Sequence, residues 1–177
     1  MSRMYESESE LAALQALLDR SLADAGPHLR DILLPRRMTA RQVVMRMRGM
    51  KLLTVATVSR DGRPVSGAVD GYLLHGELWF SSSADAVRTR HLRRNPAASA
   101  IWLPDETTQF VVHGDAELIP FGDDRAAELR RAMLDHYVPR QGPDWANFID
   151  LFIAEEAAAF RVAARKAFAY YLPARDS

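Results

Sequence analysis

The sequence predicts a mainly β chain with helices: a small six-stranded antiparallel barrel preceded by N-terminal helices and interrupted by inserted ones. Three observations predict it. Six segments read as strands bounded by turn or breaker residues. Apolar residues at helical spacing are confined to the first 50 residues, to one short stretch mid-sheet and to 123–152. The strands are joined by tight turns with a single helix inserted among them, which points to a barrel rather than a doubly wound sheet. Residues 1–50 therefore read as a helical lead-in and 51–177 as the barrel, one domain overall.

Ser7 and Glu10 form a capping-box pattern ahead of Leu11, Leu14, Leu18 and Leu22, an amphipathic helix ending near Ala25-Gly26-Pro27. Thr39 with Gln42 opens a second helix carrying Val43, Val44 and Met47, with Arg41, Arg46 and Arg48 on its solvated face. The texture changes at 52–58, a β-branched run. Asp61-Gly62 predicts a type I′ hairpin turn into a second strand over about 63–74, which tolerates Pro64 near its start. His75-Gly76 turns the chain into a third strand, 77–82. A helix over 84–94 is stopped by Asn95-Pro96, and strands resume at 98–103 and 108–119, where Gly114 suggests a bulge. Helices are expected at 123–137 and 143–152. The closing strand falls at 160–172, although 157–164 would also suit a helix.

Lys plus Arg equals Asp plus Glu at 23 each, so no overall field draws the chain to nucleic acid or an anionic membrane, and any anion site is local. The absence of cysteine excludes a disulfide framework, a thiolate nucleophile and sulfur-bound zinc, and accords with a reducing cytoplasm. No apolar run approaches the roughly 20 residues that cross a bilayer, so a soluble protein is expected. The five histidines show no metal spacing, and serine elbow, Walker and dinucleotide glycine patterns are missing.

The most informative stretch is Phe80-Ser81-Ser82-Ser83-Ala84-Asp85-Ala86-Val87-Arg88. A strand ending in hydroxyls runs into a helix whose first amides lack internal partners, which suits an anion. Arg88 can fork onto a phosphate that Ser82 also reaches. The simpler reading makes Ser83 an N-cap and Arg88 a surface side chain. Arg88, Arg90, Arg93 and Arg94 would also suit nucleic acid, but no aromatic interleaving supports that. Trp79, Trp102 and Trp145 are core residues or stacking platforms, and His91 or His113 is a candidate haem ligand or proton donor.

In order and spacing, these motifs resemble the FMN-binding split barrel of the pyridoxamine 5′-phosphate oxidase superfamily. The similar pieces are Thr54 to Pro64, Leu78 to Ser82, Val87 to Pro96, and Val112 to Leu118, with 160–171 as the closing strand. His136-Tyr137-Val138-Pro139 and Gly142-Pro143-Asp144-Trp145 are similar to an insert of actinobacterial members. The resemblance implies a homodimer with the cofactor between protomers: FMN, or else the 5-deazaflavin coenzyme F420, or haem. By position it places the flavin ring on Gly67, Ala68, Val69 and Asp70 of the second strand. Ser81, Ser82 and Arg88 fall on the phosphate site, and Gln109 on the glutamine that touches the flavin. No catalytic acid or base and no metal ligand is implied. Members with arginine near 67, lysine near 72 and arginine at 87 oxidise vitamin B6. Gly67, Tyr72 and Val87 here argue against that substrate. The resemblance thus implies a flavin- or deazaflavin-dependent oxidoreductase acting on a small molecule; the alternative is a non-catalytic flavin-, deazaflavin- or haem-binding protein.

Overall fold

The computed structural model describes residues 5–155 and 157–173. Both capping boxes form. Ser7 caps α1 (Glu8–Ala23) and Thr39 caps α3 (Ala40–Arg46), each side chain accepting from the amide three residues on while the side chain of that residue, Glu10 or Gln42, reaches back. Between them lies α2 (Pro27–Leu33), followed by a 3-10 turn at Leu34–Arg36. The sequence reading took Gly26-Pro27 only as a stop. In the structure Gly26 is an N-cap and Pro27 the first helical residue, the one position where a missing N–H costs nothing.

Six strands follow: β1 (Lys51–Val58), β2 (Pro64–Leu74), β3 (Glu77–Ser82), β4 (Ala97–Asp105), β5 (Thr108–Pro120) and β6 (Ala158–Tyr171). They close into an antiparallel barrel in the order β1-β2-β3-β6-β5-β4. The inserted helices are α4 (Val87–Arg94), α5 (Ala127–Gln141) and α6 (Asp144–Ala154). Residues 158–164 are strand, not helix, because all of them pair with β5 and those up to Val162 pair with β3 as well. The fifth helix runs past the expected 137 and through Pro139 to Gln141, where Gly142 at φ +102° ends it. No helix among the described residues is long and apolar enough to cross a membrane.

The two hairpins exchange their expected turns. His75 (φ +56°) and Gly76 (φ +76°) are the two-residue loop with positive φ at both positions, between the paired Leu74 and Glu77. Asp61-Gly62 is not a type I′ turn. Val58 pairs with Pro64, which leaves a five-residue loop with only Gly62 at positive φ, and Ser59 ties it by bonding Asp61 and Arg63. The bulge near Gly114 is real, but the extra residue is Arg165 on the partner strand. Gly114 is required there because a Cβ would lie 2.1 Å from the Ala163 carbonyl oxygen.

Inside the barrel, Leu53, Val55, Val69, Leu78, Phe110 and Val112 pack around the stacked pair Phe80–Phe160, and α1 and α3 add their leucine and valine stripes to this core. Outside it, Tyr72, Leu74, Trp79 and Ile119 form a second cluster under Leu129 and Met133 of α5 and Ile149 of α6. Arg161 on β6 bridges Glu77 on β3 at 3.1 Å and Glu117 on β5 at 2.5 Å, tying neighbouring strands across the seam.

Candidate functional site

Strands β2 and β3 pair only from Leu74–Glu77 to Gly71–Phe80. Beyond that they part: β2 continues to Pro64 paired with β1 alone, and Ser81 and Ser82 pair with β6 alone. The parting leaves the backbone groups of one edge of β2, across Gly67 to Asp70, without a strand partner, and such groups seek one. Arg88 takes one of them, its Nη2 donating to the Ala68 carbonyl at 3.0 Å. A side chain at Gly67 would crowd that guanidinium, since its Cβ would stand 3.0 Å from Nη2.

Ser82 faces the barrel interior in the row of Leu78 and Phe80. It is 5% exposed, and its hydroxyl has no hydrogen-bond partner. Ser83 is not the N-cap of the following helix. Its carbonyl accepts from the Ala86 amide and the Thr89 hydroxyl, and the cap is Ala86, which has no side chain to satisfy the first-turn amides. The site thus combines a parted strand edge, an orphaned buried hydroxyl, an uncapped helix start and a guanidinium in the first turn of that helix. These are donors suited to a phosphate next to a planar group with its own polar edge.

Of the other expected residues, Ser81 is half-buried beside Ser82, and Val69 faces the core. Asp70 accepts a short hydrogen bond from the Tyr137 hydroxyl on α5. Gln109 is not brought to the group within one chain. It pairs with Tyr170 on the far side of β1 and β4. The arginines of α4 are not laid out as a nucleic-acid stripe: Arg88, Arg90 and Arg94 donate to the carbonyls of Ala68, Asp85 and Val58. His91 is buried, its Nδ1 2.9 Å from the Thr57 hydroxyl, whereas His113 is exposed with Nδ1 2.8 Å from Ser99. Trp79 is core, Trp102 packs against the barrel core, and Trp145 stacks on Tyr137 at 4.9 Å.

The sequence reading missed one group altogether. Lys51, Tyr72, His136 and Arg140 line a common cavity although they come from three elements. The available clue was that Lys51 is one of two lysines in the chain.

Residues 40–166, well over half of the chain, match the pyridoxamine 5′-phosphate oxidase family. The chain belongs to that family. No curated protein sequence matches it. Solved structures that share the fold include the conserved hypothetical protein Rv2991 of Mycobacterium tuberculosis, at 22% identity and a TM-score of 0.57 over 72% of this chain and 84% of that one. The haem storage protein HutZ of Vibrio cholerae matches at 18% identity and 0.56, over 68% of this chain and 86% of its own. An F420 reductase matches at 19% identity and 0.51, over 68% and 91%. The pyridoxamine 5′-phosphate oxidase family match runs from the start of α3 into β6. It therefore takes in the β2 edge, Ser82 and Arg88.

Proposed function

We propose that this protein is a flavin- or deazaflavin-dependent oxidoreductase acting on a small molecule in the cytoplasm, with FMN as the cofactor or coenzyme F420 in its place. The observation that carries the proposal is the parted edge of β2 with Arg88 bonded to it, next to a β3 end that carries the orphaned Ser82 hydroxyl. The cofactor would supply the hydride-transferring ring. The chain's own residues hold and exclude. Arg88, Ser81, Ser82 and the first-turn amides of α4 take the phosphate, and Gly67 to Asp70 offer backbone donors and acceptors to the ring edge. No side chain is asked to move a proton.

A homodimer belongs to this reading. At the end of the barrel where β1, β4 and the start of β5 meet, the outward residues Leu52, Thr54, Ser99, Ile101, Leu103 and Gln109 are uncharged, and Leu52 is 64% exposed. An uncharged patch with exposed leucines favours a partner, and a second copy would bring its Gln109 toward the cofactor. The test is titration of the purified protein with FMN and with F420. Arg88→Ala should weaken the bound cofactor by about 1.5–3 kcal/mol, or about 10–150-fold. Binding of neither cofactor would refute the proposal.

One observation favours a second reading, a haem-binding protein without turnover. The exposed His113 lines a surface groove of about 440 Å³ together with Lys166 and Arg165, the latter paired with Asp115, and an imidazole beside cations is the chemistry that haem iron and propionates take. A Soret band lost in His113→Ala would support it, and the absence of any Soret band on adding haem would exclude it.

A further inference from the structure

The turn between β2 and β3 carries an imidazole held between two carboxylates. His75 Nδ1 lies 2.9 Å from Glu10 in the first turn of α1, and its Nε2 lies 2.5 Å from Glu128 in the first turn of α5. Two such bonds need two protons. A neutral imidazole has one N–H, so both bonds close only on the imidazolium or with the second proton on one of the acids. Burial lowers the His75 pKa, but the bonds to Glu128 and Glu10 and their charges outweigh it, and the extra proton is held above the ordinary imidazole value of about 6.5.

Other titratable groups surround the ring. Buried Glu6 accepts from the Tyr5 and Gly76 amides at 3.1 and 3.5 Å, and the Tyr5 ring stands edge-on to His75 at 6.5 Å. Glu77, next but one in the hairpin, is turned to Arg161. Arg125, ahead of α5, is taken by Glu117 and Asp123, and Arg131, a turn after Glu128, is exposed.

The two carboxylates are not held alike. Glu10 also accepts from the Ser7 amide and hydroxyl through its other oxygen. The hairpin tip rests on α1 without His75, through Glu6 and through Gly76, where a Cβ would lie 3.5 Å from the Glu10 carbonyl oxygen and 3.6 Å from Leu14. Glu128 has no other hydrogen-bond partner among the described residues.

We infer that His75 is a pH-sensitive clasp that ties the start of α5 to the hairpin tip and α1 while protonated, and that on losing its proton to water keeps Glu10 and releases Glu128. Leu129 and Met133 stay packed in the outer cluster, so the release loosens the first turns of α5 without undocking the helix. Those turns carry Ala132 and Asp135, which line a cavity of about 580 Å³ together with Tyr5 and Glu6 from the other side of the clasp. The clasp therefore sets how closely these walls approach. It holds whether or not a cofactor binds at Arg88.

Hydrogen exchange of the full cofactor-free chain, read by peptide mass spectrometry and corrected for the chemical rate at each pH, tests this. Nitrogen NMR of the imidazole locates the transition, with both ring nitrogens protonated below it and one above. Protection across 127–134 should fall about 2–10-fold through that transition, the range for one hydrogen bond at a partly exposed site, while 8–14 in α1 and 40–46 in α3 keep theirs. His75→Asn and Glu128→Gln should each abolish the dependence, since a glutamine amide can accept from the protonated ring nitrogen or donate to the bare one. Dependence that survives in either variant puts the titration elsewhere, Glu6 included, and overturns the proposal. So does protection at 127–134 that holds while the ring titrates, or a loss confined to 8–14. Ala132→Cys puts the chain's only thiol in the cavity wall. Its alkylation above the transition should be faster by a like factor than below it, relative to the same cysteine in His75→Asn protein; an unchanged ratio overturns the movement of the wall.

Discussion

Ser82→Ala should act in opposite directions on the cofactor-free protein and on its affinity. The Ser82 backbone is fixed by pairing with Ala158, and the nearby Ser83 carbonyl is already occupied by two donors. The hydroxyl therefore finds no acceptor in the chain. An unsatisfied buried polar group costs about 1–3 kcal/mol. Removing it leaves a hydroxyl-sized gap that takes back part of the gain, so about 1 kcal/mol of net stabilisation is expected. For a chain of this length that is about 2–4 °C in Tm. With a phosphate present, the same hydroxyl makes a bond to a charged acceptor, and its loss should raise the cofactor Kd about 10–150-fold. Thermal melts of cofactor-free protein and fluorescence titration with FMN and F420 read the two effects separately. A lower Tm without cofactor would show that Ser82 has a structural partner, and an unchanged Kd would show that no phosphate reaches it. Either result refutes the argument.

Other outcomes follow from the same structure. Ala86→Asp should stabilise α4 by about 0.5–2 kcal/mol through the missing N-cap while weakening phosphate binding by repulsion, seen as a raised melt and a raised Kd. Gly114→Ala should cost about 3 kcal/mol, the upper end for overpacking, because the new methyl meets a backbone carbonyl rather than a side chain that can yield; the urea midpoint measures it. His75 links Glu10 at 2.9 Å and Glu128 at 2.5 Å; burial lowers its pKa, but the bonds to Glu128 and Glu10 outweigh this and the net is a rise. A raised folded pKa gives stability that is complete below the unfolded value of about 6.5 and lost as pH rises through the folded one. The stability difference between wild type and His75→Asn, which keeps a residue tolerant of positive φ, should therefore shrink as the pH is raised above the unfolded value of about 6.5. A constant difference would show that the imidazole is not charged in the folded protein.

Much of the fold is decided by interactions between near neighbours in the chain, and these the sequence determines by itself. The capping boxes at Ser7 and Thr39 are contacts three residues apart, Asn95-Pro96 stops α4 through local sterics, and the third strand begins where the His75-Gly76 turn ends. The order of these motifs also carried the family, and with it Ser82 and Arg88. Tertiary structure alone decided the rest. Asp61-Gly62 has the stronger two-residue turn signature, yet the pairing of Val58 with Pro64 lengthens its loop, because register follows from which faces of β1 and β2 are buried. The parting of β2 from β3 depends on β3 pairing with a strand some 80 residues later, and the Arg88 bond to Ala68 crosses 20 residues. Lys51, Tyr72 and Arg140 have no local relation at all. Barrel closure and the docking of α5 bring them to one cavity, since a cavity is made by surfaces that meet in space and leaves no pattern along a chain.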